Sequence, residues 1–150
     1  MTRPDPILEA ATSVVVHDWP TRDVPETLTR AGYAVTVYGG PEPDDIFVSE
    51  LRDGEVTITR TGQPPERADL VYVFRPLAEL PGIVAAAKEL GATTIWRQSG
   101  LLSSGESDPR GCWTPEEESR EARRIVESAG LTYVEDPYIA DAVRQRATQR

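Results

Sequence analysis

Three side chains of this sequence have types and positions that could support chemistry. His17 and Arg75 each follow an apolar run, where a strand would end, and Cys112 lies in a Gly/Ser-rich segment close to Arg110. An imidazole can move a proton, a guanidinium can bind a phosphate or a carboxylate, and a thiol beside a cation can become a nucleophile. Each also has a structural alternative: loop hydrogen bonds for His17, a salt bridge for Arg75 and an unreactive thiol for Cys112.

Several kinds of catalytic site are disfavoured by residue counts and spacing. One His and one Cys are too few for the ligand sets that zinc sites use. The P-loop pattern G-x-x-x-x-G-K-[ST] is absent, and no G-x-G-x-x-G follows the first predicted strand. The G-x-S-x-G pattern of a nucleophile elbow is missing as well. The sequence therefore predicts neither a zinc enzyme, nor a P-loop protein, nor a serine hydrolase.

Composition narrows the class of partner. A length of 150 residues is that of one domain, and a net charge of −9 disfavours binding to nucleic acid or to an anionic membrane. An anionic small molecule could still be held locally by a helix N-terminus and one or two arginines. The single cysteine excludes an internal disulfide, and residues 1–11 are too polar for a signal peptide. No apolar run approaches the roughly 20 residues that span a bilayer, so we expect a cytoplasmic protein.

The segments that would position the reactive side chains alternate between strand and helix. Capping boxes with Asp23 and Thr114 as N-caps predict two helix starts, and glycine ends three predicted helices. The alternation predicts an α/β protein of Rossmann-like three-layer α/β/α architecture with a mainly parallel five-stranded sheet. Apolar and β-branched runs place the five core strands at about 13–17, 33–38, 70–74, 93–97 and 131–135.

Two segments interrupt this alternation. Residues 47–60 contain Asp53-Gly54 and are predicted to form an inserted β-hairpin beside the sheet, covering an edge. Residues 99–113 form a long Gly/Ser-rich loop, either a lid that faces a ligand or a surface loop that packs Trp113. The hairpin or an exposed sheet edge would also allow a homodimer.

A ligand is expected at the carboxyl ends of the strands, where the chain order of an open α/β sheet reverses. Arg75 is the candidate for a phosphate or carboxylate contact. Trp19 either stacks on an adenine or closes the core, and Gly39-Gly40 permits a tight turn or a close backbone approach. The residues placed at this crevice by their position are His17, Asp18, Trp19, Pro20, Thr21, Arg22, Tyr38, Gly39, Gly40, Phe74, Arg75, Pro76, Gln98, Ser99 and Gly100.

Three motifs carry a resemblance to a known family. They are Asp69-Leu70-Val71-Tyr72-Val73-Phe74-Arg75, the helix with Pro81-Gly82-Ile83-Val84, and Trp96-Arg97-Gln98-Ser99-Gly100. In these motifs the sequence resembles the CoA-binding domain family of small single-domain proteins, which shares its fold with the CoA-binding domain of the succinyl-CoA ligase α subunit. The resemblance covers residues 12–140, which leaves an N-terminal extension at 1–11 and a C-terminal helical tail at 141–150.

The resemblance implies a module that binds coenzyme A or a nucleotide-type ligand at the strand ends, without catalysis of its own, and that acts with a partner protein. The first loop, residues 17–23, departs from the family pattern because it is shorter and contains no glycine. Gly39-Gly40-Pro41 stands where the family has Asn-Pro, and Tyr138 where it has Cys. The alternatives are an interaction or regulatory protein that has kept the fold and lost the ligand, and a small-molecule enzyme using His17 and Arg75.

Overall fold

One mixed sheet of seven strands organises the computed structural model, which describes residues 4–19 and 21–148. Its order is β4-β3-β2-β1-β5-β6-β7. The strands are β1 Ser13–His17, β2 Ala34–Tyr38, β3 Ile46–Arg52, β4 Glu55–Arg60, β5 Leu70–Val73, β6 Thr94–Arg97 and β7 Thr132–Val134. The helices are α1 Pro4–Ala10, α2 Asp23–Arg30, α3 Leu80–Glu89, α4 Glu116–Ser128 and α5 Ile139–Thr148, with a 3₁₀ turn at Leu77–Glu79.

The five strands β2, β1, β5, β6 and β7 are parallel to one another, which confirms the predicted Rossmann-like α/β class. Alternate side chains of these strands pack into two separate apolar clusters on opposite faces of the sheet. One cluster contains Val14, Leu28 and Ile139 and is covered by α1, α2 and α5. The other contains Val15 and Val126 and is covered by α3 and α4. The helices packed on the two faces of the sheet give the three layers of the α/β/α architecture.

The hairpin of β3 and β4 is confirmed, but its position differs from the prediction. It does not lie beside the sheet: β3 pairs antiparallel with β2, from Val35 opposite Ser49 to Tyr38 opposite Ile46, so the hairpin extends the sheet to seven strands. Asp53 and Gly54 both have positive φ angles, of 51° and 82°, as the tight turn between these strands requires. The pairing brings the loop after β2 against the crevice.

Neither predicted N-cap is used as a cap. Helix α2 begins at Asp23 itself, and its carboxylate accepts hydrogen bonds from Arg144 at 2.8 Å and Tyr138 at 2.9 Å. These partners lie on or beside α5, so the tertiary contact outcompetes the local cap. Helix α4 begins after Pro115, and the hydroxyl of Thr114 is buried without a hydrogen-bond partner among the described residues.

The two ends of the chain pack on the same face of the sheet. Leu8 of α1 and Ile139, Ala142 and Val143 of α5 belong to one buried cluster. The predicted boundary at residue 140 therefore falls inside α5, and the division of the chain at 11 and 140 remains a prediction. Within the described part of the chain, no helix combines the length and the apolar character that crossing a membrane would require.

Candidate functional site

The order in which strands are added to the sheet reverses at β1. The chain runs from β1 to β2 on one side, forms the hairpin, and then returns to β5 on the other side of β1. Two open cavities lie at the carboxyl ends of these strands and share Asp18 and Arg75. The β2-side cavity, of about 270 Å³, is lined by His17, Asp18, Tyr38, Gly39, Gly40, Glu42, Pro43, Asp45, Arg75, Glu79 and Ile83. The β6-side cavity, of about 330 Å³, is lined by Asp18, Phe74, Arg75, Pro76, Arg97, Gln98, Ser99, Leu101 and Glu118.

Arg75 stands between the two cavities and is held by two carboxylates. Its Nε and Nη2 donate to the two oxygens of Glu79 at 3.1 and 2.6 Å, and its Nη1 donates to Asp18 Oδ2 at 2.8 Å. Hydrogen bonds from Arg75 lower the pKa of Glu79. The sequence left open whether this arginine binds a ligand or forms a salt bridge. In this structure it forms two salt bridges and also lines both cavities.

The loop after β1 makes a tight turn without a glycine. Asp18 has a φ angle of 69°, a left-handed conformation that aspartate tolerates better than most residues because its side chain can bond locally. The carboxylate accepts from the backbone N–H of Trp19 at 2.9 Å, and the backbone N–H of Asp18 donates to Tyr38 at 2.8 Å. Asp18 therefore stands where a glycine would otherwise be expected.

A half-buried aromatic pair forms part of the wall of the β2-side cavity. The rings of His17 and Tyr38 stack with centroids 4.7 Å apart and an interplanar angle of 26°. Burial first, and the positive charge of Arg75 second, lower the pKa of His17 from 6.5 to about 4. The imidazole is therefore neutral at pH 7, which suits it for contact with a flat ligand ring rather than for holding an anion.

A buried arginine forms part of the wall of the β6-side cavity. Arg97 is at the end of β6 and its side chain is 4% exposed. Its Nη1 donates to Glu118 of α4 at 3.1 Å, and its Nη2 donates to the backbone carbonyl of Arg75 at 3.3 Å. Arg97 thus connects β6, α4 and the segment that carries Arg75.

Part of the predicted first loop points away from the crevice. Trp19 packs against the core and makes an edge contact with Phe47 at 6.3 Å between ring centroids. Arg22 donates to the backbone carbonyl of Val56 at 2.9 Å, which ties the loop to β4. Thr21 is exposed and accepts a weak hydrogen bond from the N–H of Asp23 at 3.3 Å, and the predicted site residue Pro20 lies outside the described residues.

Gly39 is required where Trp19 crosses it. A Cβ atom added at Gly39 would overlap Nε1 and Cδ1 of the indole. We expect Gly39→Ala to lower the free energy of unfolding by about 1–3 kcal/mol, the cost of inserting atoms into a packed site. Gly82→Ala is the control, because Gly82 is at an exposed position of α3 and nothing lies within 4 Å of the Cβ that it would gain. It should stabilise by about 0.5–1 kcal/mol, and equal effects in urea unfolding would contradict this assignment.

The predicted site residues Gln98, Ser99 and Gly100 all have structural roles, and only Gln98 and Ser99 also line a cavity. The Gln98 side chain accepts from the N–H of Ile139 at 3.1 Å and donates to Gly111 at 3.5 Å. Ser99 donates to the backbone carbonyl of Trp113 at 2.5 Å. Gly100 does not line either cavity and packs on the ring of Phe74, where an added Cβ would lie 2.6 Å from the nearest ring carbon.

The loop at 99–113 is folded on itself rather than extended over the crevice. Leu101 bridges to Ser107, and further backbone hydrogen bonds connect its two halves, including Gly100 to Gly111 at 3.0 Å. The loop leaves Trp113 43% exposed, so it packs this ring only in part. Only the start of the loop faces a possible ligand site, because Ser99 and Leu101 line the β6-side cavity.

Cys112 lies outside both cavities and is surrounded by acids. Its thiol donates to Asp136 Oδ1 at 3.1 Å, while the neighbouring Arg110 binds Asp141 at 2.6 Å instead. Burial, the hydrogen bond to Asp136 and nearby carboxylates raise the pKa of the thiol to about 12. The thiol therefore stays protonated at neutral pH, which agrees with the unreactive alternative.

Several lining residues were not predicted from sequence. Glu79 follows Arg75 by four residues, so the ion pair could have been inferred from helical spacing. Arg97 could have been noticed as a charge at the end of an otherwise apolar strand. Glu42, Asp45 and Glu118 carry no local signal, because only the packing of the loop after β2 and of α4 brings them to the cavities. In the part of the chain that is described, no group of three or more His, Cys, Asp or Glu side chains is arranged to hold a metal ion.

Comparison with known proteins agrees with this architecture. A family model described as CoA binding domain matches residues 16–140, which include every strand end described above. A Thermus thermophilus protein, cell-free ID.343, is 23% identical, with 95% of each chain covered and a TM-score of 0.53. Prb, a protein redesigned for binding, is 18% identical, with 100% of this chain and 95% of that chain covered and a TM-score of 0.59. At these identities the two structures show the fold alone, and no protein of curated function matches the chain.

Proposed function

We propose that this chain, which belongs to the CoA binding domain family, is a module that binds coenzyme A or a related adenine nucleotide at the two cavities beside β1. The observation that carries this proposal is the position of Arg75 between the cavities, at the point where the chain order reverses. The module performs no chemistry alone, and a partner protein would supply the rest of any active site.

The residues present fit such a ligand in two respects. The β6-side cavity, of about 330 Å³, is at the lower end of the roughly 300–1,000 Å³ that small-molecule sites occupy, and the β2-side cavity, of about 270 Å³, is slightly below that range. The stacked His17 and Tyr38 rings offer a flat surface to a base or a sugar, and Arg75 would hold phosphate oxygens. An anion must compete with the carboxylates that now hold Arg75. We therefore expect micromolar rather than nanomolar affinity.

Calorimetric titration with CoA, acetyl-CoA, NAD and ATP tests the proposal, after a check for co-purified ligand. At least one of them should bind with a Kd near 1 μM, about −8 kcal/mol. Arg75→Ala should weaken that binding at least tenfold, because the phosphate loses its guanidinium. The side chain of Arg75 and those of both its partners are more than one-third exposed, so the variant should unfold at nearly the wild-type temperature.

Arg124→Ala is a matched control, because Arg124 also forms an ion pair, with Glu121, on the exposed side of α4. It should leave binding unchanged. Absence of binding by all four compounds up to about 1 mM, some −4 kcal/mol, would contradict the proposed function.

One observation favours a second candidate, an interaction or regulatory protein of this fold that has lost the ligand. Every nitrogen of the Arg75 guanidinium already donates to a carboxylate, and Asp18 and Glu79 would repel a phosphate placed there. A thermal-shift panel separates the two candidates. Stabilisation by a nucleotide at millimolar concentration supports the binding module, whereas none of the panel would stabilise a protein that binds only other proteins.

Two further parts of the proposal concern the setting of the module. We place it in the cytoplasm, from its composition. The partner protein, or a second copy of the chain, would use a sheet edge, of which β4 with the neighbouring exposed Leu51 is one. The third alternative, an enzyme using His17 and Arg75, is supported by no further contact: the imidazole is stacked and neutral, and the guanidinium is engaged.

A further inference from the structure

Two acidic side chains follow β2 and line the β2-side cavity. Glu42 and Asp45 lie in the loop that connects β2 to the hairpin, four and seven residues after Tyr38. Asp18 and Glu79 line the same cavity, but their carboxylates are engaged by Arg75. Glu42 and Asp45 are therefore the acids of this cavity that Arg75 does not neutralise.

The loop holds the Asp45 carboxylate in a defined position. Asp45 Oδ2 accepts from the N–H of Glu42 at 2.9 Å, and the N–H of Gly39 donates to the carbonyl of Asp45 at 3.1 Å. A side chain at Gly40 would overlap this carboxylate, so the glycine allows the backbone to approach it. Arg60 contacts Asp45 at 3.5 Å and Asp44 at 3.0 Å from the hairpin side, away from the cavity lining.

The basic side chains near this end of the crevice are already paired with acids: Arg60 with Asp44 and Asp45, and Arg75 with Asp18 and Glu79. Among the described residues that line the β2-side cavity, Arg75 is the one arginine, and there is no lysine. Burial keeps His17 neutral at pH 7, since its pKa is about 4. The cavity therefore combines hydrogen-bond acceptors with an excess of negative charge.

The topology assigns a chemical role to such acceptors. In sheets of this class the turn after the first strand lies near the pyrophosphate of a bound nucleotide. An acid at the end of the second strand accepts hydrogen bonds from ribose hydroxyls, whereas a phosphate on the ribose needs a basic residue there. Glu42 and Asp45 follow the second strand, and the half-buried rings of His17 and Tyr38 lie beside them in the same cavity.

We propose that the β2-side cavity binds an adenine nucleotide whose ribose has free 2′- and 3′-hydroxyl groups, and that Glu42 and Asp45 select against a phosphate on that ribose. The inference rests on the proposed function and makes it more specific. CoA carries a 3′-phosphate with a charge of roughly −1.5 to −2 at pH 7, and dephospho-CoA lacks it. The preferred ligand class is then dephospho-CoA, NAD or ADP, and CoA itself binds more weakly.

The matched pair CoA and dephospho-CoA tests this directly, because the two molecules differ only in the 3′-phosphate. In calorimetric titrations at low salt, dephospho-CoA should bind at least tenfold more tightly than CoA. NAD should likewise bind more tightly than NADP, which carries a phosphate on the same ribose. The ratio of the CoA and dephospho-CoA dissociation constants should approach one as the salt concentration is raised, since the discrimination comes from charge repulsion near the surface.

Glu42→Gln is the informative variant, because Glu42 is exposed and the substitution removes one charge while keeping a hydrogen-bonding side chain. It should reduce the preference for dephospho-CoA several-fold, mainly by improving CoA binding. Glu89→Gln is the control: it removes the same charge at the end of α3, at the opposite end of the sheet, and should leave the ratio unchanged. Asp45→Asn tests the second acid, provided that its melting temperature stays near wild type.

The possible results separate the two proposals. Equal or tighter binding of CoA than of dephospho-CoA overturns the selection against a ribose phosphate and leaves the binding module intact. Absence of binding by CoA, dephospho-CoA, NAD and ADP at millimolar concentration overturns both. A preference for dephospho-CoA that Glu42→Gln and Asp45→Asn both leave unchanged would also overturn the role assigned to these acids.

Discussion

Between pH 7 and pH 4 the free energy of unfolding should fall by up to about 3 kcal/mol through one side chain, His17, whose pKa is lowered from 6.5 to about 4 in the folded protein. Burial disfavours the charged imidazole, and the neighbouring Arg75 disfavours it further. The same contacts give the stacked, neutral ring of the β2-side cavity, so the measurement reports on the geometry of the site.

The sign follows from proton binding in the two states. The unfolded chain protonates its histidine below pH 6.5, whereas the folded chain does so only below about pH 4. The stability that comes from keeping the imidazole neutral is therefore fully present above pH 6.5 and is lost as the pH falls towards 4. The carboxylates with lowered pKa values, Asp23, Asp69, Glu79, Glu121 and Asp141, lose their contributions at lower pH, as it falls below their ordinary values near 4.

The chain has a single histidine, so the effect can be assigned without ambiguity. Urea unfolding at pH steps from 7.5 to 4.5 should give a falling stability for the wild type and a nearly flat curve for His17→Asn. The imidazole proton resonances in an NMR titration should have a midpoint well below pH 5. A midpoint between 6 and 7 would mean that the ring is exposed in solution and that the site is more open than described.

Glu118→Ala should lower the free energy of unfolding by about 2–3 kcal/mol, because it removes the carboxylate that balances the buried charge of Arg97. Arg97 is 4% exposed, and the carboxylate of Glu118 lies 3.1 Å from its Nη1. Loss of a buried ion-pair partner typically costs roughly 3–5 kcal/mol, and the 34% exposure of Glu118 places this case below that range. Since Arg97 and Glu118 line the β6-side cavity, the change should also loosen that wall.

Glu116→Ala is the matched control. Both glutamates lie in the first turn of α4, so both interact with the helix dipole, but Glu116 and its partner Arg120 are 84% and 68% exposed. Its removal should cost at most about 0.5 kcal/mol. The double variant Arg97→Met with Glu118→Leu should recover most of the loss, because an apolar pair needs no desolvated charge. Equal destabilisation by the two single glutamate variants in urea would refute the buried-charge explanation.

Local signals in the sequence are enough to predict the architecture, apart from the pairing of the hairpin with β2. Glycine after helices, β-branched runs and the Asp53-Gly54 turn are local signals, and each depends on the conformational preference of a few neighbouring residues. They were sufficient for the five parallel strands and the hairpin. The strand ends then placed His17, Tyr38, Arg75 and Gln98 at one edge of the sheet, and these residues do line its two cavities.

The contacts of these residues depend on packing between segments that are distant in sequence. Asp18 pairs with Arg75, which is 57 residues away in sequence. Asp23 binds Arg144, 121 residues away, instead of capping its helix. Trp19 and Arg22 turn towards the core and β4, because the hairpin pairs with β2 as part of the sheet. The same pairing brings Glu42 and Asp45 to the cavity. Contacts between distant segments depend on which loops pack together in the folded chain. These contacts determine the charge of the site, and no local conformational preference encodes them.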